Sequence, residues 1–381
     1  MMSRAEIDKL LSIRAAEPRV LSLFLPVPLD PAELRSLPAK ADGLLAAAAR
    51  GGQAGHGAAQ EAIAVRDAER QRVRDLLDQH ARDWLGHTVA IFTCCELSLS
   101  EWTVLPGELP ELAVLADQPH VRPLLVALQR HPHYFAAVVD RSHAWVFRVA
   151  PERIDAVAEL TGAGVRSHDF GGWYGLEAHR VNERIIQLAR YHYRETAAIL
   201  ARAMLTSEPL PMVIGGHEAS IGQFLAAAPA ELREHFAGSF AADPVAVTPA
   251  RVRELAAPVI AHWLEVAEHR LAAQLRADPP GGRTVTGLEA CLAAVNNSAV
   301  QLLVVPDHGL VPGFTCGRCG ALSSTGGDCP DGASAVRAIP DLIEEMVAAT
   351  IGDGGQVEAV RDPPAGIGAR LRFPLASGDK R

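Results

Sequence analysis

Three cysteines stand at metal-binding spacing: Cys316-Gly317-Arg318-Cys319, then Cys329-Pro330-Asp331-Gly332, a C-x2-C-x9-C pattern. Thiolates two residues apart can grip one soft cation, and a complete ribbon would close with a fourth cysteine at position 332. Glycine stands there instead. His308, Asp328 or Asp331 could supply the fourth donor, and the His308 imidazole is the best match chemically. No glutamate lies beside the cluster as a general base, which disfavours catalysis. Structural Zn2+ and a decayed, metal-free ribbon remain as the two readings. Cys94 and Cys95 lie in an apolar run and read as core; the overall cysteine pattern is not that of a secreted disulfide scaffold.

Paired glycines recur at three places. Gly51-Gly52-Gln53 falls in an Ala/Gly-rich helix break, and Gly354-Gly355-Gln356 forms a turn before a strand; both read as structural. The third, Phe170-Gly171-Gly172-Trp173-Tyr174-Gly175, precedes a long helical pattern carrying Arg180, Arg184, Arg190, Arg194 and Arg202. Arg180 with Arg184, and Arg190 with Arg194, are i,i+4 neighbours. With Arg166 upstream, these six arginines outnumber Asp169, Glu177, Glu183 and Glu195, in a chain whose net charge is −9. Guanidinium forks match phosphate geometry, so one reading is a loop and helix that touch RNA. The plain alternative is a solvated helix with internal ion pairs.

These residues need a scaffold. The chain has 381 residues, of which 49% are hydrophobic, enough for two or three packed domains. Lys9, Lys40 and Lys380 are its only lysines, a bias that fits a GC-rich genome. Net acidity argues against generic nucleic-acid binding, which depends on Lys and Arg. No apolar run reaches the ~18 residues of a membrane span, and the charged start lacks a signal peptide's apolar stretch. The expectation is a soluble, cytoplasmic protein.

Periodicity predicts a helix over 6–15, a strand over 20–25, and helical segments broken at 50–57. Strands follow at 88–92 and 97–105, then a short helix within 118–131. A hairpin is predicted from Tyr134-Phe135-Ala136-Ala137-Val138-Val139 and Ala144-Trp145-Val146-Phe147-Arg148-Val149 around a polar turn. Beyond it lie a helix over 177–205, a strand over 211–214 entering Gly215-Gly216-His217-Glu218, and a helix over 258–275. After Asp278-Pro279-Pro280-Gly281-Gly282 come a helix (287–295), a strand (300–305), the cysteine cluster, a helix (341–350) and strands at 356–360 and 368–373. The expected fold class is α/β (α+β mixed), in three domains: 1–132, 133–278 and 279–381.

With these residues in view, the chain resembles the archaeal and eukaryotic class-one peptide-chain release factors and their relative Pelota, and more closely the bacterial branch of that superfamily. The hairpin around Val138-Val139-Asp140-Arg141 resembles the start of the family's middle domain. The Gly171-Gly172-Trp173 loop and arginine helix stand where the family has its Gly-Gly-Gln loop and helix. Asn296-Asn297-Ser298-Ala299-Val300, the cysteine insert, and the ending Ala365-Gly366-Ile367-Gly368-Ala369-Arg370-Leu371-Arg372-Phe373 resemble the third domain. Coverage runs from about Tyr134 to Phe373; the first domain matches only in layout.

The resemblance implies a three-domain release-factor-like architecture with a ribosomal-protein-like C-terminal domain carrying a degenerate zinc-ribbon insert. It implies the ribosome, rRNA and tRNA as partners and allows a translational GTPase; membrane and DNA are not expected. The glutamine that positions water in release factors is missing, since Trp173 follows the two glycines. The first domain also lacks a stop-codon-reading Asn-Ile-Lys-Ser segment. The leading expectation is therefore a rescue or hibernation factor that reads no stop codon. The alternatives are a codon-independent peptidyl-tRNA hydrolase, using Gly171, Gly172 and Trp173 with His168 or His179 as base, and a ribosome-independent interaction or regulatory module. The carried-over sites are Gly171, Gly172 and Trp173 as the loop; Arg166, Arg180, Arg184, Arg190 and Arg194 for RNA; and Cys316, Cys319, Cys329 and His308 for Zn2+.

Overall fold

The computed structural model describes residues 4–15, 20–51, 59–107, 109–151, 153–162, 175–205, 210–277, 282–326 and 336–375. In chain order the first stretch holds α1 (Arg4–Leu11), β1 (Val20–Pro26), α2 (Leu37–Gly51), α3 (Ala59–His80), β2 (Thr88–Cys94), β3 (Leu99–Leu105), β4 (Leu112–Ala116) and α4 (Arg122–Arg130). Next come β5 (Tyr134–Val139), β6 (His143–Val149), β7 (Ile154–Thr161), α5 (Gly175–Leu205), β8 (Met212–Gly216), α6 (Glu218–Ala227), α7 (Ala230–Arg233), β9 (Phe236–Phe240) and α8 (Pro249–Ala277). The last stretch holds β10 (Thr284–Thr286), α9 (Leu288–Asn296), β11 (Val300–Pro306), β12 (Gly313–Cys316), β13 (Leu322–Ser323), β14 (Val336–Ile339), α10 (Leu342–Gly352), β15 (Gln356–Val360) and β16 (Gly368–Leu371). The mixed α/β class is therefore observed directly.

The chain divides into two compact units, residues 1–129 with 270–381, and residues 130–269. In the first unit, β1 is buried from Val20 to Leu25 because both faces of the antiparallel sheet β3-β2-β1-β4 are covered. Leu21, Leu23 and Leu25 pack with Leu37, Ala41, Val73 and Leu77 of α2 and α3. Val20 and Phe24, on the opposite face by strand alternation, join a cluster that also contains Leu292, Leu303, Met346 and Val347. The stretches read from sequence as a first and a third domain thus share one core. The sheet β10-β16-β11-β15 faces that core with Leu303 and Val305, and packs Leu302 and Val304 against Leu275 of α8.

A buried polar cluster crosses this core. Arg122, at the start of α4, sends Nη2 to Asp341 Oδ2 at 2.8 Å and also bonds the Gly309 carbonyl. Asp341 caps α10: its Oδ1 accepts from the N–H groups of Ile343 (3.1 Å) and Val311 (3.2 Å). Glu344 accepts from the Val121 and Arg122 N–H groups at 2.6 and 3.3 Å. Burial, then the neighbouring Arg122 charge, holds the His120 imidazole well below its ordinary value. Burial, with the Asp341 charge second, pushes the Glu344 carboxyl up to about 8.

The second unit is a sheet of order β7-β6-β5-β8-β9 with helices on both faces. The strands β5, β8 and β9 run parallel, and β5, β6 and β7 antiparallel. Phe135, Ala137 and Val139 pack with α5 and α6, while Tyr134, Ala136 and Val138 pack with α8. That two-sided burial explains the uninterrupted apolar run of β5. At the end of β8, Gly216 has φ +151° and a Cβ there would sit 2.5 Å from the Val139 carbonyl oxygen. Gly216→Ala is expected to destabilise this unit by about 1–3 kcal/mol, because backbone, unlike a flexible side chain, has to move. Chemical denaturation checks this, and an unchanged midpoint would contradict it.

Two local readings need correction. The helix expected to open at Pro258 begins at Pro249, and Pro258 lies inside α8. Pro258 is exposed, so the carbonyl it leaves unbonded one turn earlier can face water. The opening helix ends at Leu11 instead of continuing to position 15.

Candidate nucleic-acid interface

Helix α5 is amphipathic, and its packing decides which arginines are available. Ala189, Tyr193, Ala197, Leu200 and Met204 lie on one buried face, at the i, i+4 and i+3 intervals of a helix stripe. The ring of Tyr193 meets Phe224 of α6 edge-on, centroids 6.4 Å apart. Arg184, Arg190, Arg194 and Arg202 are consequently turned outward and exposed. Tyr191 stands among them with 67% of its surface exposed. Over the described side chains of α5, four arginines stand against Glu183 and Glu195.

The helix therefore presents planar cations and one aromatic ring on a single face. That combination can meet phosphate oxygens with forked N–H donors and stack on an unpaired base. Among the described residues, no ion pair engages Arg184, Arg190 or Arg194.

Of the RNA-contact residues expected from sequence, Arg184, Arg190 and Arg194 are placed together on this face. Arg180 lies within α5, but its side chain is outside the described residues. Arg166, Gly171, Gly172, Trp173 and the candidate base His168 also lie outside them, as does the side chain of His179.

At its end, β7 is tied to the turn between β5 and β6. The Gly162 N–H donates to the Ser142 carbonyl at 2.6 Å. A Cβ on Gly162 would come within 3.2 Å of His192 Nδ1, so the small residue lets the chain pass the ring. Asp140 organises the preceding turn: Oδ1 accepts the Ser142 and His143 N–H groups, both at 2.6 Å. His192 is buried and neither ring nitrogen has a hydrogen-bond partner. Burial pushes the neighbouring Tyr193 phenol above its ordinary value. The sequence analysis placed the polar turn but not the Gly162 and His192 contacts beside it. Asp140-Arg141-Ser142-His143 carried the signal, as an Asx turn immediately after an apolar strand.

The cysteine insert is a three-stranded antiparallel sheet of order β13-β12-β14. Cys316 ends β12, buried, and Cys319 is exposed in the turn that follows. The turn is closed by bonds from Gly320 N–H to the Cys316 carbonyl (2.9 Å) and from Cys316 N–H to the Ala321 carbonyl (2.8 Å). Cys329, Asp328 and Asp331 lie outside the described residues. His308 is exposed and bonds Asp307. Among the described residues, Cys316, Cys319 and His308 do not meet in a three-donor group.

Comparison with known proteins places part of the chain. Residues 119–268, which span α4 to most of α8, match the model of the bacterial archaeo-eukaryotic release factor family 10. The sequence resemblance to that bacterial branch is therefore borne out over the middle of the chain. No curated protein matches. Among solved structures, the archaeal translation termination factor aRF1 is 13% identical with a TM-score of 0.27, covering 98% of this chain and 99% of its own. Pelota of Archaeoglobus fulgidus is 14% identical with a TM-score of 0.36, over 77% and 82% of the two chains. Dom34 of S. cerevisiae, a translation termination-like factor that interacts with Hbs1, is 10% identical with a TM-score of 0.38, over 79% and 84%. Among the described residues, no helix is long and apolar enough to cross a membrane.

Proposed function

From a middle stretch that matches bacterial archaeo-eukaryotic release factor family 10, we propose that this protein is a cytoplasmic translation factor that docks on the ribosome without reading a stop codon, in rescue or hibernation. The observation that carries the reading is the outward face of α5, where Arg184, Arg190 and Arg194 surround the exposed ring of Tyr191 within the matched stretch. Its proposed partners are rRNA and tRNA, with a translational GTPase joining the complex. A net charge of −9 keeps the rest of the surface from adhering to RNA indiscriminately, so docking is directed by this local patch. A structural Zn2+ held by Cys316, Cys319 and Cys329 belongs to the same reading.

The test is co-sedimentation of tagged protein with ribosomes from growing and starved cells. Enrichment in the ribosomal fraction, reversed by raised salt, is expected. Absence from that fraction in both states would overturn the proposal and favour a ribosome-independent module.

A second reading, codon-independent peptidyl-tRNA hydrolysis, draws on the loop base. The Gly162 N–H bond and the unpartnered His192 ring lie at the end of β7, nine residues before Gly171 in the sequence. It requires peptide release from ribosome-bound peptidyl-tRNA that is abolished by Gly172→Ala or Trp173→Ala.

A further inference from the structure

We propose that His120, Asp341 and Glu344 form a binding site for one divalent transition-metal ion of the zinc class, buried between the approach to α4 and the start of α10. The three side chains come from loci more than 200 residues apart in sequence yet converge on one point. His120 Nδ1 lies 3.3 Å from Glu344 Oε2 and 3.9 Å from Asp341 Oδ2. All three donor atoms lie within 4.8 Å of one another. A tetrahedral ion with bonds of about 2.0–2.1 Å holds its ligand atoms roughly 3.3 Å apart. The His120–Glu344 distance already matches that spacing, and the His120–Asp341 distance of 3.9 Å must contract.

The independent sign of a ligand is His120. Its side chain is 1% exposed, and neither ring nitrogen has a hydrogen-bond partner. An imidazole buried in that way loses its water without recompense, at a cost of about 1–3 kcal/mol. A cation at the Nδ1 lone pair would supply the missing partner. The ring is also aimed by its surroundings: its own backbone N–H donates to Ser22 Oγ at 2.8 Å, and Phe24 meets the ring edge-on.

Both carboxylates are arranged as ligands with supported far oxygens. Asp341 Oδ1 accepts two backbone N–H groups, and Glu344 Oε1 accepts the Val121 N–H. Their other oxygens, Oδ2 and Oε2, are the ones that face His120, and Oε2 also accepts the Arg122 N–H at 3.3 Å. Arg122 bonds Asp341 Oδ2 from outside, as outer-shell partners of ligating carboxylates do. One imidazole nitrogen with two carboxylate oxygens suits zinc, manganese or iron, and the dry surroundings disfavour strongly hydrated magnesium. Such an ion would join α4 to α10 inside the shared core.

The experiment uses the full chain with Cys316→Ser, Cys319→Ser and Cys329→Ser, so that no thiolate from the ribbon can bind. Dialysis against Co2+ is expected to leave one equivalent per chain, with visible d–d bands and no thiolate charge-transfer band, displaced by Zn2+. Glu344→Gln in the same background is expected to lose that equivalent. If Glu344→Gln does not fold, the spectrum of the parent chain decides alone. Absence of bound cobalt in the parent, or its retention in a folded Glu344→Gln chain, overturns the proposal. The cluster would then be a metal-free core.

Discussion

Arg122→Met is expected to destabilise the unit formed by 1–129 and 270–381 by about 3–5 kcal/mol, the usual consequence of removing one partner from a buried pair. Arg122 is 1% exposed and lies between the Asp341 carboxylate and the carbonyls of Pro306 and Gly309. Methionine fills the space of the guanidinium stem but offers no donor. Asp341 would then be left charged in a site where burial already pushes its carboxyl above the ordinary range. For a unit of this size the thermal midpoint should fall on the order of 10 °C, at about 2–4 °C per kcal/mol. Adding Asp341→Asn should restore part of the loss, because asparagine keeps the cap of α10 while removing the stranded charge. A loss below about 1 kcal/mol in Arg122→Met would show that the pair is not buried as described.

The second large effect concerns binding. Arg190→Glu with Arg194→Glu is expected to weaken ribosome association about 100-fold, each charge-assisted bond to a phosphate being worth about 1.5 kcal/mol. The dependence of log affinity on log salt should flatten by about two units, one for each phosphate that no longer meets a guanidinium. Both side chains are exposed on α5, so folding stability should change by no more than about 0.5 kcal/mol. Binding to the ribosome that survives the double reversal, with the same salt slope, would remove α5 from the interface. Arg251→Glu, on the exposed face of α8, serves as the matched control; there the arginine already pairs with Glu254 at 2.6 Å.

Much of the scaffold could be read in the residues. The run Tyr134–Val139 is apolar at every position because its strand is covered on both faces, and so it stood out. Seven strands escaped, β4, β7, β9, β10, β12, β13 and β14, and two of them show why. In β7, Ile154–Thr161, the side chains are mostly exposed or half-buried, since the strand lies at the edge of its sheet and carries little apolar signal. In β4, five residues pair with β1, too few for periodicity to register. The outward-facing arginines of α5 were legible because i,i+4 spacing is a local property. The cluster of His120, Arg122, Asp341 and Glu344 was not. Its members meet only through tertiary packing, and nothing near Asp341 announces a histidine two hundred residues away.

The bond between the Val121 N–H and Glu344 joins residues 223 positions apart, with the whole of 130–269 lying between them in the chain. At about 5–20 residues per second, a ribosome needs roughly 10–45 s to travel from one to the other. During that interval the 130–269 unit has all its strands and helices and can close, whereas the leading stretch waits with half a core. Phe24, Val121 and Leu124 belong to the face left uncovered until Leu303, Met346 and Val347 are made. The leading stretch is then the part of the nascent chain that trigger-type chaperones should hold longest, and pausing translation between positions 270 and 340 should expose it to proteolysis while leaving the inserted unit intact.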